Sequence, residues 1–241
     1  GQFGTSVNHK AAASRYIFTH LHPHTRSALF REEDDAILEP TEDEGQRVEP
    51  RCYWPVLPTL LLNGANGIGT GYSTTVPPVD PGALVRYVRA RLRGEEPPEL
   101  RPWWRRHHGR VVPVGGAAPA EVAAAAAPAA KYEVMGAAQL DGARAVVTDL
   151  PPGRSSDWFQ QQLVERHTVG DRPLVTSFEN HSTVERAHFV LELGGEAPKD
   201  DEEALLRALK LVDTASLTNM HVFDPSGSRV VRYGSLEELA D

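Results

Sequence analysis

The sequence has little cysteine and no long hydrophobic run. Its single cysteine, Cys52, excludes an internal disulfide framework and a zinc site built from several cysteines, and it fits a reducing compartment. We predict that Cys52 packs beside Tyr53 rather than acting as a nucleophile. No run of about 18 apolar residues occurs, so no membrane span is predicted, and the N-terminus lacks the shape of a signal peptide. The chain starts at Gly1 rather than at a Met, and we expect it to be a piece of a longer polypeptide.

Acidic residues outnumber basic ones in the chain as a whole, but they are absent from its first 31 residues. The net charge of −8 over 241 residues argues against a dedicated nucleic-acid binder when it is taken as a single number. Residues 1–31 nevertheless contain no acid, residues 32–50 are strongly acidic, and residues 86–110 form a second basic zone. A local basic patch can hold an anion while the total charge stays negative, although solvated faces explain such runs equally well.

Helix and strand signals alternate irregularly along the chain. Residues 80–94 predict a helix that Asp80 caps and Gly94 ends, with an apolar stripe of Leu84, Val85, Val88 and Leu92. Residues 155–170 predict a second helix capped by Ser156 or Asp157, and residues 200–213 predict a third. Strand-like segments are the residues 144–150, 183–193, 221–224 and 229–233. Because no regular strand-helix-strand rhythm appears, we predict the fold class α+β, with an Ala/Pro-rich surface insertion at residues 116–131.

The glycine-rich stretch NGANGIGTGYS, residues 63–73, is not a phosphate-binding loop. It lacks the lysine of a Walker motif, and Tyr72 stands where the dinucleotide fingerprint needs a third glycine. Glycines this dense allow close approach of the backbone to another surface. Ile68 lies between Gly67 and Gly69, and it could either wedge between DNA bases or pack into the core beneath a tight loop.

Several long motifs, taken in order, resemble the type II DNA topoisomerases, especially their eukaryotic and large-virus form. The resemblance rests on GQFGT, on SRYIFTHL and on QRVEPRCYWPVLPTLLLNGANGIGTGYSTTVPP in the first third of the chain. LRPWWRRHHGRV and SLTNMHVFDPSGSRVVRYGSLEELAD carry it further, so that nearly the whole chain is covered outside the insertion. One departure is Ser6, which stands where the family usually has an arginine after GQFGT.

The resemblance implies roles for individual residues. Tyr16 matches the tyrosine that attacks a DNA phosphodiester and becomes linked to the 5′ phosphate, and Arg15 matches the adjacent arginine that holds the scissile phosphate. Ile68, flanked by Gly67 and Gly69, matches the isoleucine that wedges between base pairs and bends the DNA. Lys10 keeps the basic character of the segment before the tyrosine. From the basic zone we select Arg89 and Arg93 as contacts to the DNA backbone, although an arginine-covered helix is often only a soluble face.

The resemblance also implies an architecture and a set of partners. Residues 1–50 would be the C-terminal part of a winged-helix domain with the nucleophile, residues 51–215 a mixed α/β tower (shoulder) domain, and residues 216–241 a segment leading toward coiled-coil arms. The expected function is transient double-strand cleavage and religation of DNA in a nuclear, ATP-dependent homodimer. Mg²⁺ and ATP would both be bound outside this chain, by the TOPRIM and ATPase domains of the full-length protein, and no metal ligands are predicted here.

Two other functions remain open at the level of the sequence. The chain could be a non-catalytic DNA-binding and bending module from a truncated or degenerate copy, or an interaction domain that does not bind DNA. The histidines of HLHPH, His20, His22 and His24, have no acid or cysteine at ligand spacing and are a weak metal signal. Asp34 and Asp35 lie in an acidic loop and are expected to be solvated.

Overall fold

The computed structural model describes residues 2–115 and 130–241, and their fold is α+β, as predicted. Helices and strands follow one another without a regular alternation. The helices are α1 Thr59–Asn63, α2 Pro81–Arg93, α3 Ser156–Gln162, α4 Glu202–Ala208 and α5 Leu236–Ala240. The strands are β1 Thr41–Asp43, β2 Gln46–Val48, β3 Ala65–Gly69, β4 Tyr72–Val76, β5 Val111–Pro113, β6 Lys131–Met135, β7 Ala137–Asp141, β8 Arg144–Asp149, β9 Val175–Asn180, β10 Phe189–Leu193, β11 Val212–Ser216, β12 Met220–Phe223 and β13 Val230–Tyr233.

All described strand pairs are antiparallel. A four-stranded sheet has the order β7-β8-β10-β9, and a three-stranded sheet has the order β11-β6-β5. The pairs β1-β2, β3-β4 and β12-β13 form two-stranded hairpins. Since β11 pairs with β6 along its whole length, chain segments about eighty residues apart in sequence meet in one sheet.

Two hydrophobic cores hold these elements together. The first lies between the four-stranded sheet and helices α3 and α4, and the rings of Phe159 and Phe189 meet edge-on in it at 4.9 Å. The second joins α1, α2, β12 and α5 around Tyr87 and Tyr132. Residues after 216 therefore pack into the same core as α1 and α2.

Helix α2 confirms the predicted helix but not its predicted buried face. The Asp80 carboxylate accepts the backbone N–H of Ala83 at 2.8 Å, and Gly94 ends the helix in the left-handed conformation. Leu84, Tyr87 and Ala90 are the buried residues of the helix. Leu92, which the apolar stripe was expected to include, is 82% exposed, because it lies about 200° around the helix from Ala90.

The second predicted helix begins one residue earlier than expected. Ser155 is the N-cap and its Oγ accepts the backbone N–H of Trp158 at 3.2 Å. The predicted caps have other roles, since Ser156 is buried and Asp157 lies in the first turn. The wider turn Leu163–His167 continues α3. The third predicted helix is α4, which ends at Ala208 because Val212 and Asp213 belong to β11.

Each of the four predicted strand segments contains a strand, but the bounds differ, and only the last five residues of the segment 183–193 are a strand. Residues 144–149 form β8, residues 189–193 form β10, and the last two segments pair as β12 and β13. The predicted insertion at 116–131 lies outside the described residues except for its last two, and Lys131 already belongs to β6. In the part of the chain that is described, no helix is both long and apolar enough to cross a membrane.

Candidate nucleic-acid interface

Tyr16 lies in a single helical turn at the surface. Residues Ser14–Tyr16 form a 3₁₀ turn, and the side chain of Tyr16 is 68% exposed. The guanidinium carbon of Arg15 lies 5.2 Å from the centre of the Tyr16 ring. Arg15 makes no ion pair or hydrogen bond with any described side chain, so its fork of N–H donors is open to an anion next to the phenol. The structure thus brings the predicted nucleophile and its cation together at a site that a phosphate can reach.

The segment before Tyr16 is fixed to the first core. Val7 is buried, and its carbonyl accepts hydrogen bonds from the backbone N–H and the Oγ of Ser156 at 2.8 and 3.2 Å. The ammonium of Lys10 lies 2.7 Å from the carboxylate of Asp157 in α3. Both side chains are more than half exposed, so this ion pair contributes little stability, but Asp157 compensates the charge of Lys10.

Ile68 lies at the tip of the β3-β4 hairpin and is 92% exposed. The alternative that it packs into the core beneath a tight loop is therefore wrong. Residues Gly69 and Tyr72 pair directly, so the turn has two residues, with Gly71 in the left-handed conformation. A Cβ added to Gly67 would meet no atom within 4 Å. The tip is a glycine-rich backbone that presents the apolar side chain of Ile68 to the solvent, with the half-exposed ring of Tyr72 beside the turn.

Strand β12 supports the outgoing strand of this hairpin. Nδ1 of His221 lies 3.2 Å from the carbonyl oxygen of Ser73 and 3.0 Å from Oδ1 of Asn219. Both neighbours are acceptors, so Nδ1 carries the proton. The side-chain amide of Asn219 also donates to Oγ of Ser73 at 3.0 Å, and the backbone carbonyl of Asn219 accepts the Thr75 N–H at 2.8 Å. These contacts hold the hairpin on β12 and leave its tip free.

Asp149, at the end of β8, fixes the loop that carries Arg105 and Arg106. Its Oδ2 accepts the N–H groups of His108 and Gly109 at 2.6 and 3.2 Å, and its Oδ1 accepts that of Leu150 at 2.9 Å. Nδ1 of the buried His107 ring lies 2.9 Å from the same Oδ2. Burial alone would raise the pKa of Asp149, but the contacts with His107 and with the backbone N–H groups outweigh it and hold the pKa below its ordinary value.

A cleft of about 850 Å³ joins these elements. It is lined by Ser6 and Val7 before Tyr16, by Asn63–Asn66 at the base of the hairpin, and by Arg105 and Arg106. The turn that ends at Arg154 and the residues of β11 complete its wall. Residues of the segment that leads to Tyr16 and residues at the base of the hairpin that carries Ile68 therefore line the same cleft.

Arg89 and Arg93 are exposed on α2, as the predicted contact with the DNA backbone requires. Neither forms an ion pair with a described residue, whereas Arg91 on the same helix binds the carboxylate of Asp241 at 2.8 Å. The hydroxyl of Tyr87 also donates to the carboxylate of Asp241. The pKa of Tyr87 is raised to about 12, mainly by burial and secondly by this hydrogen bond. Of the four arginines on α2, Arg89 and Arg93 are thus free for an anion, whereas Arg91 is paired with Asp241 and Arg86 lies 3.9 Å from the carboxylate of Asp80.

The segment between Tyr16 and α1 is largely exposed. The rings of His22 and His24 lie 4.8 Å apart, and over residues 2–115 and 130–241 no group of three or more His, Cys, Asp or Glu side chains is placed to hold a metal ion. Cys52 is exposed, so the prediction that it is packed is wrong, and Nε1 of Trp54 donates to its sulfur at 3.2 Å.

Two supporting residues could not be found from the sequence. Asp149 acts on a loop about forty residues away, and His221 contacts a strand about 148 residues away. No local spacing connects such partners. The only sequence feature near Asp149 is the turn Pro151-Pro152-Gly153, which marks the end of a strand without pointing to a site.

Comparison with known proteins agrees with the motifs. A sequence model of the family described as the A-type subunit of DNA gyrase/topoisomerase IV matches residues 1–241. The chain is 34% identical to DNA topoisomerase 2 of Arabidopsis thaliana over 245 aligned positions, which cover 100% of the chain and 16% of that protein. For DNA topoisomerase 2 of Bombyx mori the identity is 32%, over 99% of the chain and 15% of that protein.

A solved structure shares the fold. The crystal structure of the Plasmodium falciparum topoisomerase II DNA-binding, cleavage and re-ligation domain superposes with a TM-score of 0.79 at 30% identity, over 100% of this chain and 31% of that one. The chain thus spans only about a sixth of the curated relatives it matches. With a family match along its whole length and a shared fold, the chain belongs to the type II DNA topoisomerases, in the family of the DNA gyrase and topoisomerase IV A-type subunits.

Proposed function

We propose that this chain is the DNA-gate portion of an ATP-dependent type II DNA topoisomerase, which cleaves and reseals both strands of a duplex through tyrosyl-phosphodiester links. The observation that carries the proposal is the exposed phenol of Tyr16 beside the unpaired guanidinium of Arg15. The names of the relatives and of the similar structure, which include topoisomerase activity and DNA cleavage, support it.

The chemistry suits these two residues. A phenol with an ordinary pKa near 10 is a poor nucleophile at neutral pH, so it needs help to lose its proton. As the phenol oxygen forms a bond to phosphorus, the bond from phosphorus to the 3′ oxygen breaks, and that oxygen takes up a proton. The guanidinium of Arg15 would bind the phosphate oxygens as charge builds up on them. One phosphoester replaces another, so resealing needs no new energy source.

Ile68 would bend the DNA in this function. An apolar side chain inserted between base pairs unstacks them and kinks the duplex, and the narrow glycine-rich tip lets the backbone approach the groove. Lys10, Arg89 and Arg93 are proposed as further contacts to the DNA. We expect Arg89 and Arg93 to contribute to the salt dependence of binding, and Lys10 to contribute little because Asp157 compensates its charge.

The remaining parts of the active enzyme would lie outside this chain. Since the described residues contain no cluster that fits Mg²⁺, we propose that a TOPRIM domain of the full-length protein, a nuclear homodimer, holds the metal, and that a separate ATPase domain binds ATP. Within the chain we propose the end of a winged-helix domain at residues 1–50, a tower domain at 51–215 and a segment toward coiled-coil arms at 216–241.

Plasmid cleavage tests the proposal. The parent polypeptide with Mg²⁺ should convert supercoiled DNA to linear DNA with protein bound at its 5′ ends, and Tyr16→Phe should abolish this while DNA binding remains. The 241-residue chain alone should bind DNA without cutting it. Cleavage that survives in Tyr16→Phe would disprove the assignment of the nucleophile.

The second candidate is a non-catalytic DNA-binding and bending module, which the free hairpin tip favours. It predicts that the parent polypeptide binds and bends DNA but gives no covalent complex with Mg²⁺. The same plasmid experiment therefore separates the two functions.

A further inference from the structure

The chain forms a closed loop just before Tyr16. The backbone carbonyl of Gln2 accepts the N–H of Ala12 at 2.9 Å, and the side-chain amide of Gln2 donates to the carbonyl of Lys10 at 3.0 Å. These two bonds fasten together the ends of the loop, residues 2–12. The 3₁₀ turn that carries Tyr16 begins two residues after it. The position of the phenol therefore depends on how the loop 2–12 is held.

Thr5, the last residue of the motif GQFGT, organises the inside of this loop. The N–H of Thr5 donates to the carbonyl of Asn8 at 2.7 Å, and the N–H of Asn8 donates to Oγ1 of Thr5 at 2.9 Å. Oδ1 of Asn8 in turn accepts the N–H of Lys10 at 3.0 Å. A continuous series of hydrogen bonds therefore leads from Thr5 to Lys10, whose carbonyl is bound by Gln2.

The hydroxyl of Thr5 also binds the loop to the body of the chain. It donates to the carbonyl of Val184, which lies 179 residues away in the turn between β9 and β10. A hydroxyl has one proton and two lone pairs, so it can donate to Val184 and accept the N–H of Asn8 at the same time. The turn is itself ordered, since the N–H of Thr183 donates to the carbonyl of Arg186 at 2.9 Å and Oγ1 of Thr183 accepts the N–H of Arg186 at 3.1 Å.

Val7 is the other firm attachment of the loop. Its side chain is buried in the first core, and its carbonyl accepts two hydrogen bonds from Ser156. The ion pair of Lys10 is exposed and adds little to this. A loop that is held at one point can still pivot about that point. The hydroxyl of Thr5 supplies the second point and thereby sets the direction in which the chain continues to Tyr16.

We propose that Thr5 is a positioning residue for Tyr16. Its hydroxyl holds the loop 2–12 against the turn between β9 and β10, so that the phenol oxygen is kept where it can attack the scissile phosphorus. Without the hydroxyl the loop pivots about Val7 and carries the phenol away from that position. A misplacement of about 1 Å can already cost about a hundredfold in rate. The inference rests on the proposed function, because it concerns how the nucleophile of that function is held.

Single-turnover DNA cleavage by the parent polypeptide with Mg²⁺ tests the proposal. Thr5→Val removes the hydroxyl and keeps the branched shape, and it should lower the rate constant of covalent-complex formation by about ten- to a hundredfold. The affinity for duplex DNA and the final amount of complex should stay the same, because neither the DNA-binding surface nor the number of folded molecules changes. Thr5→Ser keeps the hydroxyl and should react at a rate close to that of the unmodified protein.

A matched control lies in the same pair of strands. Oγ1 of Thr176 in β9 donates to the carbonyl of Glu192 in β10 at 3.1 Å, so Thr176→Val removes the same kind of bond without touching the loop 2–12. Its rate constant should equal that of the unmodified protein.

A second pair of variants tests the next bond in the series. Asn8→Ala removes the acceptor of the Lys10 N–H and should also slow covalent-complex formation, whereas Asn8→Asp keeps an acceptor oxygen there and should not. This pair decides the question even if Thr5→Val does not fold, because equal rate constants for the two Asn8 variants would overturn the proposal.

The outcomes separate this inference from the function it rests on. If the unmodified protein forms no covalent complex, or if Tyr16→Phe forms it as well, the proposed function fails and the inference falls with it. If Tyr16→Phe is inactive but Thr5→Val reacts as fast as Thr176→Val, only the inference is wrong. It is also overturned if Thr5→Ser is as slow as Thr5→Val, or if Thr5→Val lowers the final amount of complex at an unchanged rate constant, since that result means a loss of folded protein.

Discussion

Replacing Asp149 by asparagine should destabilise the chain in a pH-dependent way. Asp149 accepts three backbone N–H groups with two oxygens, and its side chain is only 15% exposed. An asparagine amide has one oxygen, so at least one of those N–H groups would face an NH₂ group and lose its partner. An unsatisfied buried donor costs about 1–3 kcal/mol, and a bond to a charged acceptor is worth about 1.5–3 kcal/mol. We therefore expect Asp149→Asn to lower the free energy of unfolding by about 2–3 kcal/mol at pH 7.

The pH dependence follows from the sign of the pKa shift. The pKa of Asp149 is lower in the folded chain than its ordinary value of 3.8, so the ionised carboxylate stabilises the fold above that value. This stabilisation is lost as the pH falls through the folded pKa. The difference between the unmodified chain and Asp149→Asn should thus be constant near neutral pH and shrink below about pH 4.

Urea unfolding followed by circular dichroism at several pH values measures this difference. Asp171→Asn is the control, because Asp171 is exposed and makes no ion pair or side-chain hydrogen bond with a described residue. It should change the free energy of unfolding by less than about 0.5 kcal/mol. A penalty for Asp149→Asn that stays the same down to the lowest pH at which the chain folds would refute the role of the ionised carboxylate.

Four further substitutions probe the hairpin, its contact with β12 and the loop that Asp149 fixes. Ile68→Ala should leave the free energy of unfolding within about 0.5 kcal/mol but reduce the bend of bound DNA, measured by energy transfer between end-labelled dyes; an unchanged bend would exclude the wedge. His221→Ala should also reduce the bend, because it removes the proton that holds Ser73 to β12, and Ser73→Ala, which keeps the carbonyl acceptor, should have the smaller effect. Gly109→Ala should destabilise the chain by more than about 2 kcal/mol in urea unfolding, because its Cβ would lie 1.8 Å from the carbonyl oxygen of Met135; a smaller loss would mean that the loop can move away.

Part of the fold could be predicted because its signals are local. Asp80 and Gly94 bound α2 through contacts within one turn of the helix, and the turn between β12 and β13 is encoded by adjacent residues. The buried face of α2 could not be predicted from the residues of the helix alone, because it depends on which side of the helix packs into the second core. The sequence therefore predicted where α2 lies but placed Leu92 on the wrong side of it.

The sequence by itself determined the family, because several long motifs occur in order along the chain. It also determined the pairing of Arg15 with Tyr16 and the glycine-flanked position of Ile68, because each of these lies within a few adjacent residues. Only the tertiary structure decided that Ile68 is exposed rather than buried, that Asp149 fixes a distant loop, and that His221 contacts the hairpin. Those facts depend on chain segments that are far apart in sequence and are brought together by sheet pairing and core packing. A short motif fixes its own backbone, but what surrounds it is set by the rest of the fold.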